Sequence, residues 1–344
     1  MKKMEFGWAE GQDHVNKSFG IKVRQDILEI ILDLVKSEIY LKDPSLKLLF
    51  KSQTPAGSYH LKTTDNDFFI RVSSRLGDFE LENQFVHYLI SKQVSVNEFL
   101  FGGINFSWKE SLYRLDVRPF LEGRYFHPNI EDFEKLVKSM KQFHEYANDF
   151  PNLKKIRFNQ QKISTKHAKI CKELQEALQS SNFKYFTQHE EWVKKNCVWL
   201  DEILGEYDPY FEDMPGAQCL HGQIHPGNVL FVDSRAVLFD TETSIHTFAP
   251  VDWDYSWILQ RFIINQDIEK KDSLKYIELL ADSPTGINKL VNMTKQNTIY
   301  SVISVFDYCL NKNVSVPQSE LDKFYNNYMS MCEYELYLRE IYEI

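Results

Sequence analysis

The chain has 344 residues, 43% of them hydrophobic, and a formal net charge of −9, which is length enough for two domains with a sizeable core. An acidic chain with no clustered Lys/Arg face is not expected to bind nucleic acid. Five widely spaced cysteines (Cys171, Cys197, Cys219, Cys309, Cys332) form no Cys-x-x-Cys pair, which argues against a disulfide framework and a thiolate zinc site.

The start, Met1-Lys2-Lys3, is basic but leads into no apolar signal core. No segment approaches the roughly 20 apolar residues of a membrane helix, so a cytoplasmic protein with no membrane partner is expected. Residues 22–38 read as an amphipathic helix, with Ile27, Ile30, Ile31 and Leu34 at helical spacing. Strand-like runs follow at 47–51, 59–63 and 68–72. The small-residue loop 53–58, holding Gly57 and Ser58, separates the first two. Residues 76–92 return to helical periodicity. There Glu82, Phe85, Val86 and Leu89 fall at i, i+3, i+4 and i+7, which puts Glu82 on the buried stripe and leaves Glu80 solvated. A buried carboxylate needs a partner, and Arg71 on the strand 68–72 is the natural cation. At 112–118, apolar Tyr113, Leu115 and Val117 alternate with polar Arg114, Asp116 and Arg118.

After Pro119 the character changes to helix, at about 133–143, 162–181, 186–205 and from 255 onward, with a hinge expected near 118–123. The exception is 229–239, where two apolar four-residue runs flank Asp233-Ser234-Arg235 as a hairpin. Counted as a three-residue turn, this pairs 232 with 236, 229 with 239, and Asn228 with Asp240. An amide oxygen and a carboxylate side by side suit Mg²⁺ whose octahedron is completed by phosphates and water. Both residues are also common at hairpin ends, and the pair alone does not decide. Ahead of it, His221, Gly222, Pro226 and Gly227 make a tight, non-helical loop. That spacing also disfavours a zinc hydrolase, since His221 and His225 would need a helix and an intervening glutamate. His144 closes an apolar helix face and reads as a core histidine.

The stretch His221-Gly222-Gln223-Ile224-His225-Pro226-Gly227-Asn228, with Asp240 on the next strand, resembles the His-Gly-Asp-x-His-x-x-Asn loop and metal aspartate of the aminoglycoside phosphotransferase and choline kinase family. The resemblance spans roughly 45–262. It implies an α+β, protein kinase-like bilobal fold, with a nucleotide-binding sheet lobe at 1–119 and a helical lobe at 120–344, and ATP with Mg²⁺ as cofactors. Residue by residue it implies Asn228 and Asp240 as metal ligands, His221 as the residue pinning the loop and His225 near the phosphate path. Gln223 takes the place of the catalytic aspartate. Arg71 and Glu82 resemble the strand cation and helix glutamate that hold nucleotide phosphates, Gly57 and Ser58 the phosphate-covering loop. Arg118-Pro119-Phe120-Leu121-Glu122-Gly123 resembles the linker that meets adenine. Pro250-Val251-Asp252-Trp253-Asp254-Tyr255 resembles the segment whose second aspartate, here Asp254, supports the catalytic loop.

An amide cannot act as a general base near neutral pH. Such help contributes typically 10²–10⁴-fold, whereas phosphoryl transfer rests mainly on positioning and charge neutralisation. Four accounts stay open: Glu242 or Asp252 takes over as base, the acceptor is already anionic, Gln223 orients an acceptor or a water, or the protein binds nucleotide with little chemistry. The leading expectation is an ATP-dependent phosphotransferase acting on a small hydroxyl-bearing metabolite or antibiotic. The alternative is a nucleotide-binding pseudokinase or regulatory module.

Overall fold

The computed structural model describes residues 25–48, 54–74, 76–266, 268–281, 283–311 and 316–342. The expected positions 22–24, 49–51 and 53 therefore lie outside the described residues. Two compact units emerge. The first takes in the chain up to Tyr146 and also Pro226–Glu242; the second comprises Ala147–His225 and Thr243–Ile344.

In the first unit, helix α1 (Gln25–Glu38) precedes strands β1 (Ser45–Leu48), β2 (Gly57–Lys62) and β3 (Asp67–Ser73). Helix α2 (Phe79–Ser91), strands β4 (Phe101–Trp108) and β5 (Ser111–Pro119), and helix α3 (Ile130–Ala147) follow. The five strands form one antiparallel sheet in the order β1-β2-β3-β5-β4. Period-two alternation sorts its side chains. Tyr59, Leu61, Ile70, Val72, Tyr113, Leu115 and Val117 share one face and pack with Ile27, Ile31 and Val35 of α1. That stripe of α1 runs 27-31-35; Ile30 and Leu34 flank it and are only half-buried.

Strand β4 is absent from the sequence reading, because Phe101-Gly102-Gly103 looks like a turn. The glycines serve a bulged strand under close cover. A Cβ on Gly102 would lie 2.7 Å from Asp116 Oδ1, and one on Gly103 (φ +71) 2.6 Å from the Phe79 ring.

The hairpin is present as β7 (Val229–Val232) and β8 (Arg235–Leu238), with a register that corrects the expected one. Val232 pairs with Arg235 and Val229 with Leu238, so the turn has two residues. Asp233 makes this possible by taking a left-handed φ of 53, a conformation aspartate tolerates better than most residues. The hairpin joins the first unit through backbone bonds of Leu238 with Ser95 and Asn97 and of Phe231 with Arg124, and Ser139 of α3 donates to Ala236 O.

The second unit is helical. Helix α4 (Leu153–Gln179) and α5 (Glu190–Gly205) are joined by a 3₁₀ segment, Phe183–His189. Two-residue strands β6 (Gln218–Cys219) and β9 (Phe248–Ala249) pair near the chain's passages between units. Helix α6 (Asp252–Ile258) runs into a π-helical turn, Leu259–Ile264, and α7 (Lys270–Leu280), α8 (Pro284–Asn311) and α9 (Gln318–Tyr342) complete the unit. Its core gathers Leu174, Phe186, Leu200, Ile303, Phe306 and Leu321 from α4, the 3₁₀ segment, α5, α8 and α9. No helix among the described residues is long and apolar enough to cross a membrane.

Candidate active site

The second face of the sheet carries the first group of candidate residues. Register sets Ser58 opposite Arg71, Arg71 opposite Asp116, and Phe69 opposite Arg118, so these side chains and Arg114 project from one surface. The polar half of β5 is no solvent face. Arg114, Asp116 and Arg118 are 3%, 0% and 3% exposed, and Glu82 of α2 is 1% exposed above them.

Glu82 points inward as its helical phase requires, and Glu80 is exposed and bonded to Gln84. Its partner differs from the expected one. Arg114 Nη2 donates to Glu82 Oε2 at 3.0 Å, and Arg118 Nη2 and Thr241 Oγ1 to Oε1, each at 3.4 Å. Arg71 instead donates to the Asp240 carboxylate and, at 3.0 Å, to Glu242 Oε1. The reason is supply: β5 puts two guanidiniums under α2, while Arg71 lies on β3 where the hairpin's end offers two carboxylates. Burial acts against the Arg71 charge, but Asp240 and Glu242 outweigh it and hold its pKa above the ordinary value. Burial is also the largest influence on Glu82 and pushes its carboxyl up, against the pull of Arg118 and Arg114.

Two further placements revise the expectations. Gly57 and Ser58 open strand β2 and belong to no loop; the residues ahead of them are Thr54-Pro55-Ala56. Arg118 lies inside β5, donates to Asn97 O at 2.9 Å, and stands over the Phe99 ring at 3.8 Å. Phe120 follows the strand, its N–H donating to Asp67 O and its ring stacked on His60 with centroids 4.0 Å apart.

At the hairpin's end the corrected register leaves Asn228 opposite Phe239, whose N–H donates to Asn228 O at 2.9 Å. Asp240 is then one residue beyond the paired position, with a left-handed φ of 64. Non-glycine residues seldom adopt that backbone, and it clusters at functional sites. Here it accompanies the turn of Asp240 toward Arg71. Asn228 is 6% exposed. Among the described residues no group of three or more His, Cys, Asp or Glu side chains could hold a metal. The Asn228–Asp240 donor set, two hard oxygens and no soft ligand, fits a cation that keeps most of its shell for phosphate and water.

The remaining candidates lie in the second unit. Asp254, in the first turn of α6 and fully buried, accepts from His221 N at 2.9 Å and Gly222 N at 2.8 Å. Thr243 and Ser244 donate to His221 O, and Trp253 Nε1 to Gly222 O at 3.2 Å. The loop's start is thereby fixed on every side. Gln223, next in the chain, is exposed, and His225 is half-buried. The sequence offered Asp254 but none of the hydroxyl and indole donors, because their spacing follows no local period. Asp252 is half-buried, and desolvation raises its carboxyl pKa against an opposing effect of Lys289.

Gly222 has φ 88, and a Cβ there would lie 2.2 Å from Thr247 Oγ1. Gly222→Ala is expected to cost roughly 1–2 kcal/mol in backbone strain and about 1–3 kcal/mol in overlap. Urea denaturation measures this; an unchanged midpoint would show that the loop is not held as described.

No family model matches the sequence, and no curated protein matches it. Solved structures do match in fold. A spectinomycin phosphotransferase in complex with ADP and spectinomycin aligns at TM-score 0.62 and 14% identity, over 93% of this chain and 99% of that one. An ethanolamine kinase of Plasmodium vivax aligns at TM-score 0.58 and 12% identity, over 97% and 96%. A choline kinase of Streptococcus pneumoniae aligns at 0.56 and 13%, over 90% and 100%. The chain thus has the α+β, protein kinase-like fold of these small-molecule kinases.

Proposed function

We propose that the protein is an ATP- and Mg²⁺-dependent phosphotransferase acting on a small hydroxyl-bearing acceptor. The observation that carries this reading is the meeting of Arg71 with Asp240 at the hairpin's end, one step from Asn228. A strand cation beside two hard oxygen donors is what a metal–nucleotide phosphate group requires. Asn228 and Asp240 would hold the metal, which supplies neutralisation of phosphate charge when bound. Arg71 would turn from Asp240 to the phosphate oxygens, with Glu242 as its second anchor and Ser58 facing it across the ladder. Glu82 supports this surface from the α2 side through Arg114 and Arg118.

The spectinomycin phosphotransferase and the ethanolamine and choline kinases of like fold support a small-molecule acceptor here. Gln223 would stand at the base position, next in the chain to the fixed backbone of His221 and Gly222. Its amide oxygen can accept a hydrogen bond from an acceptor hydroxyl but cannot take its proton. Of the two carboxylates that could take that proton, Glu242 is engaged by Arg71, which leaves Asp252. Gln223 itself favours the second reading, a nucleotide-binding module with little transfer.

Both readings require nucleotide, so the first test is binding. In calorimetric titrations, Asp240→Ala and Asn228→Ala should each weaken ATP binding in the presence of Mg²⁺ by more than the roughly 10–100-fold that loss of an outer-shell partner costs. Metal-free binding should be little affected by Asn228→Ala. Equal affinity of both variants and wild type would overturn the ligand assignment.

A further inference from the structure

The π-helical turn Leu259–Ile264 holds a cation the preceding chemistry does not use. Such turns occur frequently at functional sites. Arg261 stands over the indole of Trp257, its Cζ 5.3 Å from the ring centroid. Its carbonyl accepts from Gln266 Nε2, but among the described residues its guanidinium has no hydrogen bond or ion pair. Other arginines of this unit are matched: Arg157 pairs with Asp213 and Arg339 with Glu335. Desolvation lowers the Arg261 pKa; Glu320 opposes it, but that carboxylate is already paired with Lys323.

The indole beneath is short of a partner as well. Trp257 is 7% exposed and its buried Nε1–H has no acceptor. Trp192 and Trp253 donate to Asp322 and Gly222 O; Trp199 Nε1 also lacks an acceptor, but that indole lies edge-on to the rings of Tyr325 and Tyr328 and has no cation over it among the described residues. A buried donor without an acceptor is costly. Trp257 Nε1–H is such a donor, and one turn on the half-buried Arg261 guanidinium lacks a counter-charge.

We propose that Arg261 and Trp257 Nε1–H form an oxyanion site, taking a phosphate or carboxylate group. Trp253, Trp257 and Arg261 follow one another at four-residue steps, and Trp253 is bonded to the carbonyl next to Gln223. Helical side chains lean toward the N-terminus, which carries the guanidinium back toward that loop. Resting on the phosphotransferase reading, the oxyanion belongs to the acceptor. A neutral Gln223 then suits a negatively charged acceptor that a carboxylate would repel.

The test is calorimetric titration with inorganic phosphate of wild type, Arg261→Gln and Trp257→Phe, each saturated with ADP and, in a parallel series, with a non-hydrolysable ATP analogue that also fills the γ-phosphate position ADP leaves open. Phosphate should bind wild type about 10–100-fold more tightly than Arg261→Gln, the factor a charged hydrogen bond contributes, with a smaller loss in Trp257→Phe. Equal phosphate affinity in all three, or none in wild type, overturns the site. Should Arg261→Gln fail to fold, Arg261→Lys and Trp257→Phe carry the same comparison. ADP release with hydroxy acids and phosphorylated polyols, against their uncharged parent alcohols, identifies the source. Turnover of charged members with KM raised and kcat spared in Arg261→Gln places the oxyanion on the acceptor. Phosphate binding that leaves turnover of every member uninhibited supports a separate anion at the same site. Absence of ADP binding by wild type would remove the acceptor assignment, while the phosphate titration without ADP still decides the site.

Discussion

Gln223→Asp is expected to raise phosphoryl transfer to uncharged hydroxyl acceptors by about 10²–10⁴-fold, the contribution of a positioned general base. The backbone that would present the new carboxylate is already fixed, since Asp254 holds the amides of His221 and Gly222 and three side-chain donors hold their carbonyls. The substitution therefore changes chemistry without requiring the loop to reorganise. Gln223→Asn is the control for side-chain length and should give no rise. For acceptors that carry an oxyanion, the aspartate should instead lower turnover, because two negative groups would be brought together. Steady-state ADP release over one acceptor panel reads all of this. No change with any acceptor would mean that the chain binds nucleotide without transferring phosphate.

Glu82→Ala should destabilise the first unit by about 3–5 kcal/mol, the cost of removing one partner from a buried ion pair. Arg114 would keep Asp116 at 2.9 Å, but Arg118 would keep only Asn97 O and the Phe99 ring. A loss of that size is a large part of the 5–15 kcal/mol by which a domain is ordinarily stable. Glu82→Gln keeps one acceptor oxygen and should lose less. Arg71→Ala makes the contrast: its partners lie at the hairpin's end, so it should lower ATP affinity while leaving the melting curve nearly in place. Thermal unfolding of the three variants separates the roles. Equal stability of Glu82→Ala and wild type would sink the account of the ionic layer.

What could be read from the sequence was what has a period. The stripe that turns Glu82 inward repeats every 3.6 residues, and the apolar face of β5 repeats every two; both are as expected. The partner of Glu82 was not legible, because alternation shows that Arg114 and Arg118 share a face but not that a helix covers it. The hairpin was visible from its two apolar runs, while its register turned on whether one aspartate would accept a left-handed backbone. Gly57 and Ser58 looked like loop because small residues do, and Gly102-Gly103 hid a strand for the same reason. Arg261 gave no signal at all: nothing local distinguishes a π turn, and a cation without a counter-charge is recognised only once its surroundings are known. The expected division at 119 followed a change in composition. The hairpin's membership of the first unit depends on pairings across more than a hundred residues, such as Asn97 with Leu238.

That membership bears on how the chain is made. The sheet, α2 and all but the last residue of α3 are synthesised by Tyr146, yet the unit they belong to closes only when Glu242 has emerged. At roughly 5–20 residues per second, about a hundred residues of delay amount to some 5–20 s on the ribosome. Throughout that interval Ser95, Asn97 and Arg124 have no strand to bond, and Ser139 lacks the carbonyl it will meet. A nascent chain in this condition is a natural client for a chaperone. An N-terminal fragment ending at 146 would remain in it permanently, whereas the same fragment supplied with the hairpin peptide in trans would not.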